Sequence, residues 1–178
     1  MSLALILAAA LSADCVTIAD FSDPEERARW SVVNDGVMGG LSRGFLEEGD
    51  EALRFRGEIV TDGGGFSSIR RTLARGELAG MTSLRVTMQG DARDYQISLR
   101  SDQAYRGRRV AFRARLTSQE AGWAEAEVAM ADLSPSIFGQ PLRGGPFDTA
   151  SAREIGFILA DGQDGNFVID LRRIEACR

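Results

Sequence analysis

From residue 53 onward the chain alternates apolar and polar residues in short runs. Leu53, Phe55 and Ile59 are interleaved with Arg54, Arg56 and Glu58, with Gly57 interrupting. Leu84, Val86 and Met88 alternate with Arg85, Thr87 and Gln89, and Tyr95, Ile97 and Leu99 with Gln96, Ser98 and Arg100. Val110, Phe112, Ala114 and Leu116 continue the pattern, followed by Ile155, Phe157 and Leu159 and by Phe167, Ile169 and Leu171. A period of two with one apolar face is the mark of half-buried antiparallel strands. Turn-forming residues separate the runs at 48–50, 90–91, 102–107 and 161–165. Many short strands spaced in this way predict an all-β sandwich or barrel.

One short helix is expected at 23–29, where Asp23 stands at the cap, Pro24 opens the first turn and Glu26 completes a capping box. The Pro- and Gly-rich segment 134–149 reads as a long ordered loop, because Ile137, Phe138, Leu142 and Phe147 recur in it. No internal repeat or domain boundary interrupts residues 14–178, which read as one domain. Residues 3–11, LALILAAAL, are too short for a transmembrane helix, which takes about 20 residues. They suit the apolar region of an export signal spanning 1–13, although no basic residue precedes them; the alternative is an N-terminal helix. An exported chain would be periplasmic or secreted, a retained one cytoplasmic or membrane-associated.

The 178 residues contain no histidine and no lysine. The usual general base near neutral pH, every histidine-containing triad and Schiff-base chemistry are therefore missing. A formal charge of -5 argues against a nucleic-acid partner, which calls for a basic footprint. Arginines at 70–71 and at 106, 108 and 109 read as solvated strand faces. Cys15 and Cys177 are the only cysteines. In an oxidising compartment they are the one intramolecular pair available, requiring the terminal strands to lie side by side; in the cytosol they read as inert thiols.

Three stretches stand out. In Trp30 to Ser42, WSVVNDGVMGGLS, Asn34, Asp35 and Gly36 signal a turn, and Gly39 and Gly40 permit close backbone approach. The plain reading is a turn between strands with Trp30 and Met38 in the core; the functional one is a recognition loop using Asn34 and Asp35. In GGGFSS (63–68) the glycines precede a strand-like run rather than a helix, which excludes a phosphate-binding loop. In DGQDGN (161–166) the acid spacing departs from the EF-hand calcium loop, and a hairpin turn is the better reading. No metal or cofactor is expected.

Together, WSVVNDGVMGGLS, FRGEIVTDGGGFSSIR, Arg93–Asp94–Tyr95 and REIGFILADGQDGNFVIDLRRI resemble the complex I intermediate-associated protein 30 family, in order from Phe21 to Ile174. The resemblance implies a galactose-binding-domain-like jelly-roll β-sandwich without catalytic residues. It also implies a chaperone-like role in assembling NADH:ubiquinone oxidoreductase, with a protein partner such as an assembly intermediate. The family positions carried onto this chain, as candidate partner-binding residues, are Trp30, Asn34, Asp35, Gly36, Met38, Gly39, Gly40 and Ser42. Gly64, Gly65, Phe66, Ser67, Ser68, Tyr95, Asp164 and Gly165 follow, with Phe167 beside them. The alternative is a carbohydrate-binding module of the cell envelope, for which Tyr105 and Trp123 are candidate platforms. A carboxylate-dependent enzyme is the third reading, with no residue pair to nominate.

Overall fold

The computed structural model describes residues 14–117 and 122–178. In chain order its elements are β1 (Cys15–Asp20), α1 (Pro24–Ala28), β2 (Ser31–Asn34), β3 (Arg43–Gly49), β4 (Ala52–Ile59), β5 (Ser67–Thr72) and β6 (Ser83–Gly90). These are followed by β7 (Asp94–Tyr105), β8 (Arg108–Thr117), β9 (Ala124–Ala129), β10 (Ser134–Ile137), β11 (Gln140–Pro141), β12 (Ala152–Leu159) and β13 (Gly165–Cys177). They form a two-sheet all-β sandwich of jelly-roll type. The first sheet runs β3-β4-β13-β6-β9, and β1 lies end to end with β4 along one side of β13. The second sheet runs β11-β10-β8-β7-β12-β5-β2. All strand pairs are antiparallel.

The alternating runs put their apolar residues between the sheets, as their period requires. Phe55, Ile59, Leu84, Val86, Met88, Ile97, Leu99, Phe157, Ile169 and Leu171 are fully enclosed. Trp30 packs at 5.9 Å against Phe157 and at 5.3 Å against Phe21, and Phe55 meets Phe167 edge-on at 4.8 Å. The terminal strands do lie side by side: Cys15 is the register partner of Cys177, and a disulfide joins them with Cα atoms 4.0 Å apart.

Several expectations are corrected. The helix is only five residues long, and although Asp23 caps it by accepting from the Glu25 N–H at 2.8 Å, Glu26 makes no capping box. Glu26 is buried and turned inward, accepting from Trp30 Nε1 at 3.0 Å and pairing with Arg71 at 2.9 Å, because a buried guanidinium outbids an exposed amide for its charge. Arg71 is accordingly not solvated: its side chain is wholly buried and also meets Glu77 at 2.7 Å. Segment 134–149 is not all loop. It forms the hairpin β10–β11 across Phe138 and Gly139, whose φ values of 48° and 76° fit a two-residue primed turn. Pro135 is accommodated because this hairpin sits at the sheet edge. Residues 161–166 are no hairpin either: β12 lies in the seven-stranded sheet and β13 in the other, so the segment crosses between sheets. The 1–13 export segment lies outside the described residues. Among the described residues, no helix is long and apolar enough to cross a membrane.

Candidate functional site

Inward-facing positions of β5, β7, β8 and β12 alternate with positions on the outer face of the seven-stranded sheet, and the register arranges the latter in transverse rows. One row reads Arg113, Ser98, Gly156, Arg70, Ser31. The next reads Ser136, Ala111, Arg100, Glu154. A third brings Gln96, Ile158, Ser68 and Val33 into line. Small side chains at Ser98, Ala111 and Gly156 leave the middle of the face low, while arginines and loops stand around it. The result is a groove of about 1210 Å³. Glycines 63–65, Phe66, Val37 and Met38 border it at one side, and Arg108, Phe138 and Gly139 at the other.

The groove is charged. Glu154 bridges Arg70 at 3.5 Å and Arg100 at 3.4 Å. Burial, and then the neighbouring Arg100, pull the Arg70 guanidinium below its ordinary pKa, partly offset by Glu154. Arg113 is lowered by burial and by Arg100 and Arg70. At the rim the Arg108 guanidinium lies 4.8 Å over the Phe138 ring. Phe138 is exposed and holds the positive φ that its two-residue turn requires. The arginines read from the sequence as solvated are thus split: Arg70, Arg108 and Arg109 line this groove.

The family motifs are placed differently from the groove's polar residues. Asp35 is fully buried and gathers four donors: the Ser42 N–H at 2.9 Å, the Ser42 hydroxyl at 2.6 Å, and the N–H groups of Gly65 at 2.7 Å and Phe66 at 3.2 Å. Burial alone would raise its pKa, but the Ser42 hydroxyl and the three N–H groups hold it below the usual carboxylate range. Asn34 accepts from the Gly44 N–H at 2.9 Å and the Ser67 hydroxyl at 2.6 Å. NDGVMGGLS and GGGFSS are therefore two halves of one clasp. Asp164 accepts from the Thr61 N–H at 2.6 Å and holds the neighbouring loop to it.

Trp30 and Tyr95, carried from the family as partner-binding candidates, are core residues; the Tyr95 hydroxyl donates to Asp91 at 3.1 Å, and burial pushes it up strongly. Ser42 and Ser67 are buried within the clasp, and Ser68 reaches the groove floor. Gly36, Gly39 and Gly64 are exposed, Gly40 and Gly65 partly so, and Phe167 is core. Met38, read as a core residue, is instead 57% exposed, with Val37 beside it in the 3-10 turn 35–38 at 75% and Leu41 just beyond that turn at 62%.

The calcium reading of 161–166 loses its ligands to protein partners. Arg93 holds Asp161 through two bonds of 2.8 and 2.7 Å and donates to the carbonyls of Gly165 and Asn166. Among the described residues no group of three or more metal-ligating side chains assembles. Trp123 lies off the groove with the Arg172 guanidinium 4.0 Å over its ring, and Tyr105 is exposed at the β7–β8 hairpin tip. The arginine groove was not visible in the sequence as a site; its signal was the outer-face phase of β5, β7 and β8, where arginine recurs.

The family model for complex I intermediate-associated protein 30 matches residues 19–171. The chain belongs to that family. No curated protein matches it in sequence. Among solved structures it is similar to the family 11 carbohydrate-binding module of the cellulosomal cellulase Lic26A-Cel5E of Clostridium thermocellum, at 15% identity and TM-score 0.70, covering 93% of this chain and 95% of that one. The same organism's module in complex with a β-1,3-1,4-mixed-linked tetrasaccharide matches at 14% identity and TM-score 0.69, covering 92% and 95%. A family 30 carbohydrate-binding module matches at 15% identity and TM-score 0.55, covering 92% and 99%. At these identities the likeness concerns the fold. The family member described here is an all-β, two-sheet sandwich of the kind seen in those modules.

Proposed function

We propose that this domain binds an extended glycan along the groove on the outer face of its seven-stranded sheet. The observation that carries the reading is the groove itself: a long, low-floored trough in a sandwich shared over nearly its whole length with carbohydrate-binding modules. Polar side chains at Ser98, Arg100, Arg70 and Glu154 supply the fixed donors and acceptors that orient a polyhydroxylated chain. The Cys15–Cys177 bond supports residence in an oxidising compartment, where envelope or extracellular glycans are found. The test is a glycan array with the wild type and Ser98→Trp, which fills the floor. Binding by the wild type that Ser98→Trp abolishes without loss of thermal stability supports the groove; no glycan bound, or binding indifferent to Ser98→Trp, rejects it.

A second reading follows from the exposed apolar crest of Val37, Met38 and Leu41. A crest of this kind fits a protein partner, and the family description points to a respiratory-complex assembly intermediate. Leu41 is the one of the three that does not line the groove, so Leu41→Asp would leave glycan binding intact and disrupt only a protein-assembly role, seen as loss of assembled NADH:ubiquinone oxidoreductase in the host.

A further inference from the structure

We propose that the groove selects an acidic glycan, one bearing carboxylate or sulfate-ester groups along its chain. This rests on the groove being a glycan site and concerns which glycans it takes. Three guanidiniums, Arg70, Arg100 and Arg113, project from adjacent rows onto the groove, and Glu154 is the one carboxylate among them, shared by Arg70 and Arg100. Among the described residues Arg113 has no carboxylate within 4 Å, and Arg108 and Arg109 add further positive charge at the rim. The excess runs against the chain as a whole, whose formal charge is -5. It is not a by-product of general basicity.

The charged heads are crowded in a way that an anion would relieve. Arginine stays charged in proteins, so the repulsion among the three is relieved only by a counter-charge. The planar fork of a guanidinium matches the paired oxygens of an oxyanion better than a lone hydroxyl. Arg113 and Arg70 occupy one transverse row with Ser98 and Gly156 between them, three strand spacings apart, or roughly 14 Å. Arg100 lies between them in the next row. A chain laid across the strands would thus meet positive charge at both ends and the middle of the trough. Among the described residues no tyrosine or tryptophan lines the groove, so a stacking platform for neutral sugars is not what it offers.

The full chain would be titrated calorimetrically with oligogalacturonate, sulfated galactan oligosaccharides, mixed-linked β-glucan oligosaccharides, cello-oligosaccharides and duplex DNA. The expected result is binding of an acidic glycan in low salt, weakened at least about tenfold by Arg113→Gln or Arg100→Gln and strengthened by Glu154→Gln. The gain from Glu154→Gln cannot arise from misfolding, and thermal unfolding checks the arginine variants. Added salt should weaken binding, since the groove is open to solvent. Preference for oligogalacturonate or for the sulfated chains tells carboxylate from sulfate ester. Neutral glucans bound as tightly as acidic ones would overturn the selectivity and leave the glycan site standing. No glycan bound would overturn both, and DNA bound as tightly as the acidic glycans would replace a glycan site by a general polyanion site.

Discussion

A Cβ atom placed on Gly64 would stand 2.4 Å from Oδ2 of Asp35, inside the contact distance of any real pair of atoms. A Cβ on Gly40 would stand 2.3 Å from the Cγ of the same carboxylate, and the Gly64 Cβ would also lie 3.0 Å from the Gly40 Cα. Neither glycine has a positive φ. They are there for space: the two loops must close together on Asp35 for its four donors to reach. Gly36 belongs to the same motif but faces open space. Gly40→Ala and Gly64→Ala should each destabilise the fold by about 1–3 kcal/mol, as overpacking does, while Gly36→Ala should be near neutral. Chemical denaturation of the three variants tests this, and equal effects at all three would remove Asp35 from the explanation.

The clasp also sets an acid limit. Asp35 has a folded pKa below its unfolded value of about 3.9, so its stabilisation is present above that value and is lost as pH falls through the folded one. Asp161 and Asp170 add to the same slope: burial raises each, but Arg93 on the first and Arg54 on the second lower each further. Asp35→Asn turns one acceptor into a donor that faces donors. It should cost roughly 1–3 kcal/mol at neutral pH and flatten, without abolishing, the fall in stability below about pH 4. Stability curves between pH 7 and 2 for both proteins would show it; an unchanged acid slope would count against the clasp.

The sandwich was legible because its strands bury one face, so that Leu53, Phe55, Ile97, Leu99, Phe157 and Ile169 announce their own alternation. The neighbouring terminal strands were one of two readings of the cysteines, the one that an oxidising compartment requires. What was hidden is what depends on strand order. Arg70 and Arg71 are adjacent in sequence, yet the pleat sends Arg71 into a buried cluster with Glu26 and Glu77 and Arg70 into the groove. Arg113 and Arg70 become members of one row only once β8, β7, β12 and β5 are set side by side. Segment 161–166 looked like a hairpin because its turn chemistry is local, whereas its change of sheet is set by the partners of β12 and β13. The motif residues stood out in the sequence, but a buried aspartate with four donors and an exposed recognition aspartate have the same local sequence.

The disulfide closes a loop across a sequence separation of 162 residues. It also fixes β1, which among the described residues pairs only with β13. Constraining an unfolded chain over such a span contributes about 2–4 kcal/mol in typical cases. Cys15→Ser with Cys177→Ser should therefore lower Tm by roughly 5–15 °C. The bond lies in the sheet opposite the groove, so glycan affinity of the folded double variant should match the wild type. A Tm unchanged by the double substitution would mean that β13 holds β1 without covalent help.

Arg113 should trade stability for binding. In the free protein its charge is half-buried beside Arg100 and Arg70, and both the burial and those neighbours disfavour it. Its aliphatic stem is of use to the fold; its head, without a ligand, is a cost. Arg113→Met keeps the stem's volume and removes the charge, and it should stabilise the free domain by about 0.5–2 kcal/mol, as substitutions that relax a binding site commonly do. The same variant should lose acidic-glycan binding as Arg113→Gln does. Thermal unfolding with and without the oligosaccharide separates the two effects: the wild type should gain Tm from ligand by mass action, and the variant should start higher and gain nothing. A variant that is less stable and still binds would place Arg113 in the fold and not in the site.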